Sequence, residues 1–178
     1  MTSVKSEQPG FSLIELMVVV AITGILLAVV APNLRVWLQG SQIRGAAESV
    51  LNGIQRARAE AVARNTDVEF VLVQDAAIFW TIKLPGAGGE IITSSPIKEN
   101  SSSIVLDVFP AGSPATSTIT FGSLGTVRVN TPASATISRI DIDSTAYSSV
   151  KNLRINISGS SARMCDPHAG SGTVQSCP

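Results

Sequence analysis

Hydrophobic and polar positions divide the chain into three patterns. Residues 16–34, LMVVVAITGILLAVVAPNL, carry no charge. As a helix at about 1.5 Å per residue they reach about 28 Å, close to the ~30 Å hydrocarbon core of a bilayer. That is long enough for a membrane span. An ordinary secretory signal has a shorter apolar core followed by a small-residue cleavage site. Here the run is too long, and NLRVWLQG after Pro32 is no such junction. The first ten residues, MTSVKSEQPG, are polar. Lys5 among them favours a cytoplasmic N-terminus, with Glu7 opposing it. Glu15 stands among apolar residues, and a carboxylate in lipid is costly enough to need a partner or a function.

The second pattern is amphipathic. Ile43, Ala47, Val50, Ile54, Ala57 and Ala61 recur at alternating steps of four and three, one stripe of a helix. The spacing predicts a continuous helix over residues 11–64, about 80 Å long. Arg44/Glu48, Arg56/Glu60 and Glu60/Arg64 stand four apart on its polar side. Pro32 removes a backbone donor and predicts a kink, and Gly24 lowers helix propensity further. The third pattern begins at Asp67. Residues 68–73, 78–82, 104–109, 117–121, 125–129, 139–143 and 153–157 read as short strands separated by Gly, Pro and Ser. Residues 85–89 form a turn, and 122–124 the bend of a hairpin. The predicted fold is α+β: a long N-terminal helix packed on antiparallel β-sheet.

Gly10-Phe11-Ser12-Leu13-Ile14-Glu15-Leu16 and the apolar run after it resemble the class III signal of type IV pilins and type II secretion pseudopilins. Pro32 also falls where that family has one. The resemblance implies that a membrane aspartyl prepilin peptidase cuts between Gly10 and Phe11 and N-methylates Phe11. It implies a leader over 1–10, a membrane-spanning and later filament-core helix over 11–34, an amphipathic half over 35–66 and a β-rich domain over 67–178. The location implied is the inner membrane, single-pass with a periplasmic domain, and then a pilus or pseudopilus. Glu15 lies on the same helix face as Phe11. In a filament it would pair with the Phe11 amine of a neighbour and favour one axial register. Residues 56–65 leading into Val68 are similar to the helix end of the GspH/FimT/FimU branch, and residues 121–125 to its F-x-x-x-G hairpin. Implied partners are other major and minor pilins, the prepilin peptidase, the inner-membrane assembly platform and, before assembly, lipid.

Composition adds less. Thirteen basic and thirteen acidic side chains cancel, so no bulk charge draws the chain to nucleic acid. Cys165 and Cys177 both lie near the end of a chain that carries a membrane signal, which suggests an extracytoplasmic disulfide; two free thiols are the alternative. Closing that loop stabilises the tail by about 3 kcal/mol in the chain-entropy model. The tail resembles the FimT/FimU terminus, where a Gly-Arg-x-Arg motif precedes the first cysteine; only Arg163 stands at a matching position. Some FimT-type proteins take up DNA through that motif, and the candidates here are Arg139, Lys151, Arg154 and Arg163. Ordinary solvated strand charges compete with that reading, since phosphate binding needs several converging cations. His168, the one histidine, reads as a loop residue without a second metal ligand. Asp141 and Asp143 share a strand face, where solvation competes with paired acid–base work. No cofactor, metal or enzymatic activity is expected. The expected function is a minor pilin of a type IV pilus, in its tip or initiation complex. The alternatives are an H-type pseudopilin of type II secretion and a DNA-binding minor pilin.

Overall fold

The computed structural model describes residues 10–74, 78–86, 88–98, 103–110, 116–130, 134–146, 149–170 and 172–177. The leader residues 1–9 and residue 87 of the expected 85–89 turn lie outside these. The chain divides into two compact units, one up to Trp37 and one from Leu38 onward.

Helix α1, Leu13–Arg64, runs through both units. Its end is set by backbone geometry. Asn65 adopts a left-handed conformation, φ 49°. Thr66 N–H donates to Ala61 O (3.2 Å) and Asn65 N–H to Val62 O (3.3 Å). These two bonds are a Schellman closure, which satisfies carbonyls the last turn would otherwise leave open. Of the three expected charge pairs on α1, Glu60–Arg64 closes (2.9 Å), and it is the one ion pair on the helix among the described residues. Among the described residues no single helix is long and apolar enough to cross a membrane. Leu13–Val29 and Asn33–Arg64 meet that length and composition only as a pair joined across a break. The side chain of Pro32, where a kink is expected, lies outside the described residues.

In the second unit nine strands are found among the described residues. The five-stranded sheet runs in the order β3-β2-β1-β5-β6, with β1 at Val68–Gln74, β2 at Ile78–Lys83, β3 at Ile91–Lys98, β5 at Thr116–Phe121 and β6 at Val127–Arg128. The four-stranded sheet runs β4-β7-β8-β9, with β4 at Ile104–Phe109, β7 at Arg139–Ser144, β8 at Leu153–Ser158 and β9 at Ser161–Cys165. All pairings between these strands are antiparallel. All six residues of the predicted helical stripe are buried, and they share one core with Phe70, Leu72, Ile119 and Phe121 of the first sheet and Ile140, Ile142 and Ile155 of the second. Three of the six are alanines, and Ala46 joins them, so side chains keep the helix backbone close to the strands.

Two strands escaped the sequence reading. β3 contains Ser94, Ser95 and Pro96, and the sequence reading assigned this stretch to no element. It is an edge strand with two register shifts against β2, the place where a sheet tolerates proline. β9 lacks branched residues and is held by register with β8 across the two-residue loop 159–160. The expected strand over 125–129 shortens to β6.

The sheets are stitched by the segment before β7. Thr136 bridges Thr118 of β5, and Ser138 N–H donates to Phe109 O at the end of β4 (2.8 Å). Asn130 is buried and gathers this seam. Its amide nitrogen donates to Thr118 O (3.1 Å) and Ala135 O (3.2 Å), and its oxygen accepts from Thr120 Oγ1 (2.9 Å). A buried amide with its donors and acceptor all used fixes local geometry, because leaving any of them unpaired is costly.

Candidate functional site

At the start of α1, Gly10 and Phe11 lie outside regular structure and are exposed, and the helix begins two residues after the Gly10–Phe11 bond. Ser12 caps it: its Oγ accepts the Glu15 backbone N–H (3.2 Å), and its carbonyl accepts Leu16 N–H (3.2 Å). Ser-x-x-Glu is the capping-box spacing, a signal the sequence contained and the reading missed. Glu15 therefore lies in the first turn, where a carboxylate also suits the helix dipole. From Leu13 to Val29 every large apolar side chain that the structure describes is exposed by at least half, between 77% at Leu13 and 50% at Val18. A helix apolar all round is not a water-facing element; it belongs in lipid or in a protein core. Thr23, the one hydroxyl between Leu13 and Val29, donates back to Val19 O (2.7 Å), as a polar group must where water is absent.

The basic candidates of the β-domain come partly together. Arg139, Arg154 and Arg163 lie on strands β7, β8 and β9. Arg139 pairs in register with Asn156, and Asn156 with Arg163. Yet the arginines are largely spoken for. Arg154 donates Nε to Asp141 Oδ1 (2.7 Å) and an Nη to Oδ2 (3.0 Å), a bidentate pair. The hydrogen bond to Asp141 pushes the Arg154 guanidinium further up from its already high value. Arg139 Nε lies 3.5 Å from the same carboxylate without hydrogen-bond alignment, and its guanidinium sits 3.7 Å over the Phe109 ring. Lys151 pairs with Asp166 (3.4 Å). Among the described residues, Arg163 alone of the four has no ion-pair partner, so this surface offers phosphate one unpaired cation. Asp141 is correspondingly not the solvated edge residue expected. β7 is an internal strand, and the cross-strand register Asp141↔Arg154 brings the two charges together. Asp143 is exposed and accepts the Ser144 N–H.

Cys165 and Cys177 are joined by a disulfide. The loop they close has more order than its glycines suggested. Asp166 N–H donates to Gln175 O (2.8 Å), and its Oδ1 accepts His168 N–H (2.8 Å). That N–H, helped by Lys151 and opposed by desolvation, holds the Asp166 carboxyl below the usual carboxylate range. His168 is exposed, as expected of a loop residue. The sign of the Asp166 effect follows from linkage. A lowered folded value stabilises the loop above the unfolded carboxylate value of about 3.9 and is lost as pH falls through the folded one. Protection of the His168 amide, relative to its intrinsic exchange rate, is expected to fall below about pH 4, and Asp166→Asn to remove that acid response. Cys177→Ser is expected to cost the loop about 3 kcal/mol, read as faster exchange across the tail with little change in the thermal transition of the sheets.

The hairpin and helix end interlock. Phe121 is buried, and Gly125 lies at φ 70°, a left-handed position that a side chain would strain. Arg58 of α1 donates Nε to Gly125 O (3.1 Å). The five-residue spacing of the motif thus places a core anchor and a helix contact on one tight turn. Gly53 was not singled out by the sequence reading. A Cβ there would come within 2.9 Å of both the Phe70 and Trp80 rings, which stack at 6.1 Å between centroids. Trp80 Nε1 donates to Ser49 Oγ one turn earlier (3.1 Å). Among the described residues no group of three or more His, Cys, Asp or Glu is placed to hold a metal.

A capped, exposed apolar helix behind a Gly-Phe junction, leading into a helix-on-sheet domain, defines a type IV pilin-like subunit. The family model described as prokaryotic N-terminal methylation motif matches residues 5–31. The model described as type II transport protein GspH matches residues 46–161, well over half of the sequence. The chain belongs to the GspH family of pilin-like proteins. Among solved structures it is similar to the solution structure of E. coli GspH, at 13% identity and TM-score 0.44, covering 72% of this chain and 90% of that one. No curated protein matches it.

Proposed function

We propose that the chain is a minor pilin, cut after Gly10, methylated at Phe11, held in the inner membrane by its apolar helix and then moved into a filament of pilin-like subunits. The observation that carries this reading is the apolar rod itself: a capped helix beginning beside Phe11 whose large side chains find no cover in their own chain. Lipid covers them first and sister helices afterwards. Glu15, one turn in, pairs with the Phe11 amine of a neighbour and selects the axial register. The β-domain contacts neighbouring minor pilins, in the tip or initiation complex of a type IV pilus. A second reading, a pseudopilin of type II secretion, is favoured by the description of the matching family. Deleting the chain separates the two: loss of surface pili supports the first, loss of secreted protein with pili intact the second.

Processing is tested on the mature protein. N-terminal sequencing and intact mass are expected to show a chain starting at methylated Phe11. A mature chain starting at Met1, or fibres formed by a chain lacking residues 1–38, contradicts the proposal.

A further inference from the structure

The far end of the apolar rod carries a pair of residues that the filament reading does not use. Arg35 is the first charged residue after Glu15. Trp37 follows two positions later, is 67% exposed, and its indole N–H has no partner among the described residues. Leu34 beside them is also exposed. The contrast with Trp80, buried and hydrogen-bonded to Ser49, is sharp. An indole is a large apolar body with one donor, and it is best placed where one side is apolar and the other wet. From Phe11 to Trp37 a helix rises about 39 Å at about 1.5 Å per residue. A bilayer with its headgroup layers measures about 40–45 Å. With the Phe11 amine in one headgroup layer, Trp37 reaches the other. Tryptophan concentrates at that depth, and a nearby arginine can extend its guanidinium to lipid phosphate.

We propose that Arg35 and Trp37 form a lipid-headgroup anchor on the periplasmic side, which fixes the depth of the unassembled chain. The proposal rests on the membrane-spanning reading above. The occupant is the headgroup layer: the length of the rod reaches it, Arg35 complements its phosphates, and no charged residue stands between Glu15 and the anchor. The compact second unit begins at the next residue, Leu38. Entry into a filament then requires both side chains to leave lipid together.

The test uses the full chain in vesicles of phosphatidylcholine with phosphatidylglycerol. Fluorescence of residue 37 is isolated by difference against Trp37→Phe. Its emission is expected to lie to the blue of indole in water, with lipids brominated near the glycerol quenching it more than lipids brominated near the chain ends, and with weak quenching by aqueous iodide. Val20→Trp in the Trp37→Phe background reports on the span and is expected to be quenched by the deep bromines. If it is not, the spanning reading falls and this proposal with it. If it is, while residue 37 is quenched by iodide and not by shallow bromine, this proposal alone is overturned. Shielding of residue 37 that develops only at high protein-to-lipid ratio would mean that a second copy covers it, which also overturns the proposal. In Arg35→Gln, the gain in shallow quenching on adding phosphatidylglycerol is expected to disappear; its persistence removes the arginine from the anchor.

Discussion

Glu15→Ala is expected to enter the membrane as the parent chain does and to be depleted from filaments more than a hundredfold. The structure makes this substitution unusually clean. The bond that starts α1 uses the Glu15 backbone N–H, not its carboxylate, to reach Ser12 Oγ. Alanine keeps that bond and is the strongest helix former, so the rod should stay intact. What is lost is the charge. In the proposed filament the neighbour's Phe11 amine would be left without its partner in a low-dielectric core. Removing one member of a buried pair costs about 3–5 kcal/mol, and each 1.4 kcal/mol is about tenfold in an equilibrium. Membrane fractionation and immunoblotting of sheared filaments would measure both halves of the prediction. Normal incorporation of the mutant would show that register is set elsewhere.

Gly53→Ala is expected to destabilise the β-domain by about 1–3 kcal/mol, the usual cost of overpacking. The sign is the informative part. In an exposed helix interior glycine to alanine gains about 1 kcal/mol. Gly45 supplies that control, because it is exposed on the same helix and a Cβ there meets nothing within 4 Å. At Gly53 the methyl would press into two stacked rings that have little room to retreat. Phe70 is fully buried, and Trp80 is tied to Ser49. Urea unfolding of the full chain in detergent should therefore move the midpoint down for Gly53→Ala and up for Gly45→Ala. A rise for both would mean that the ring pair shifts freely.

The helix was legible because its signals are redundant. Six stripe positions at helical spacing all became core, and the Gly-Phe-x-x-x-Glu junction carried the family. The strands with branched or aromatic alternation, such as β1 and β7, were legible for the same reason. β3 and β9 were not, because each is an edge strand whose serines, proline or arginine obey the position in the sheet rather than any preference of their own. The division into two sheets was hidden too. It depends on the 134–138 seam and on Asn130, whose amide reads in sequence as another loop residue. Gly53 was invisible for a different reason: close approach of α1 to β2 is a fact of packing, and no local pattern announces it. Whether the arginine candidates converge was not legible, and Asp141, two residues along from Arg139, could be assigned to Arg154 only once the β7–β8 register was known.

The way α1 enters the folded unit bears on what a stretched fibre does to its subunits. Gln39 is buried there, exchanging two hydrogen bonds with the Ser103 hydroxyl just ahead of β4. Ile43, one turn on, is the first apolar residue sealed in the core. In the proposed filament, tension along α1 would reach this pair one turn before the apolar core begins at Ile43. Its parting would lengthen the subunit slightly while the ring pair at Gly53 and the Arg58 clamp stay closed.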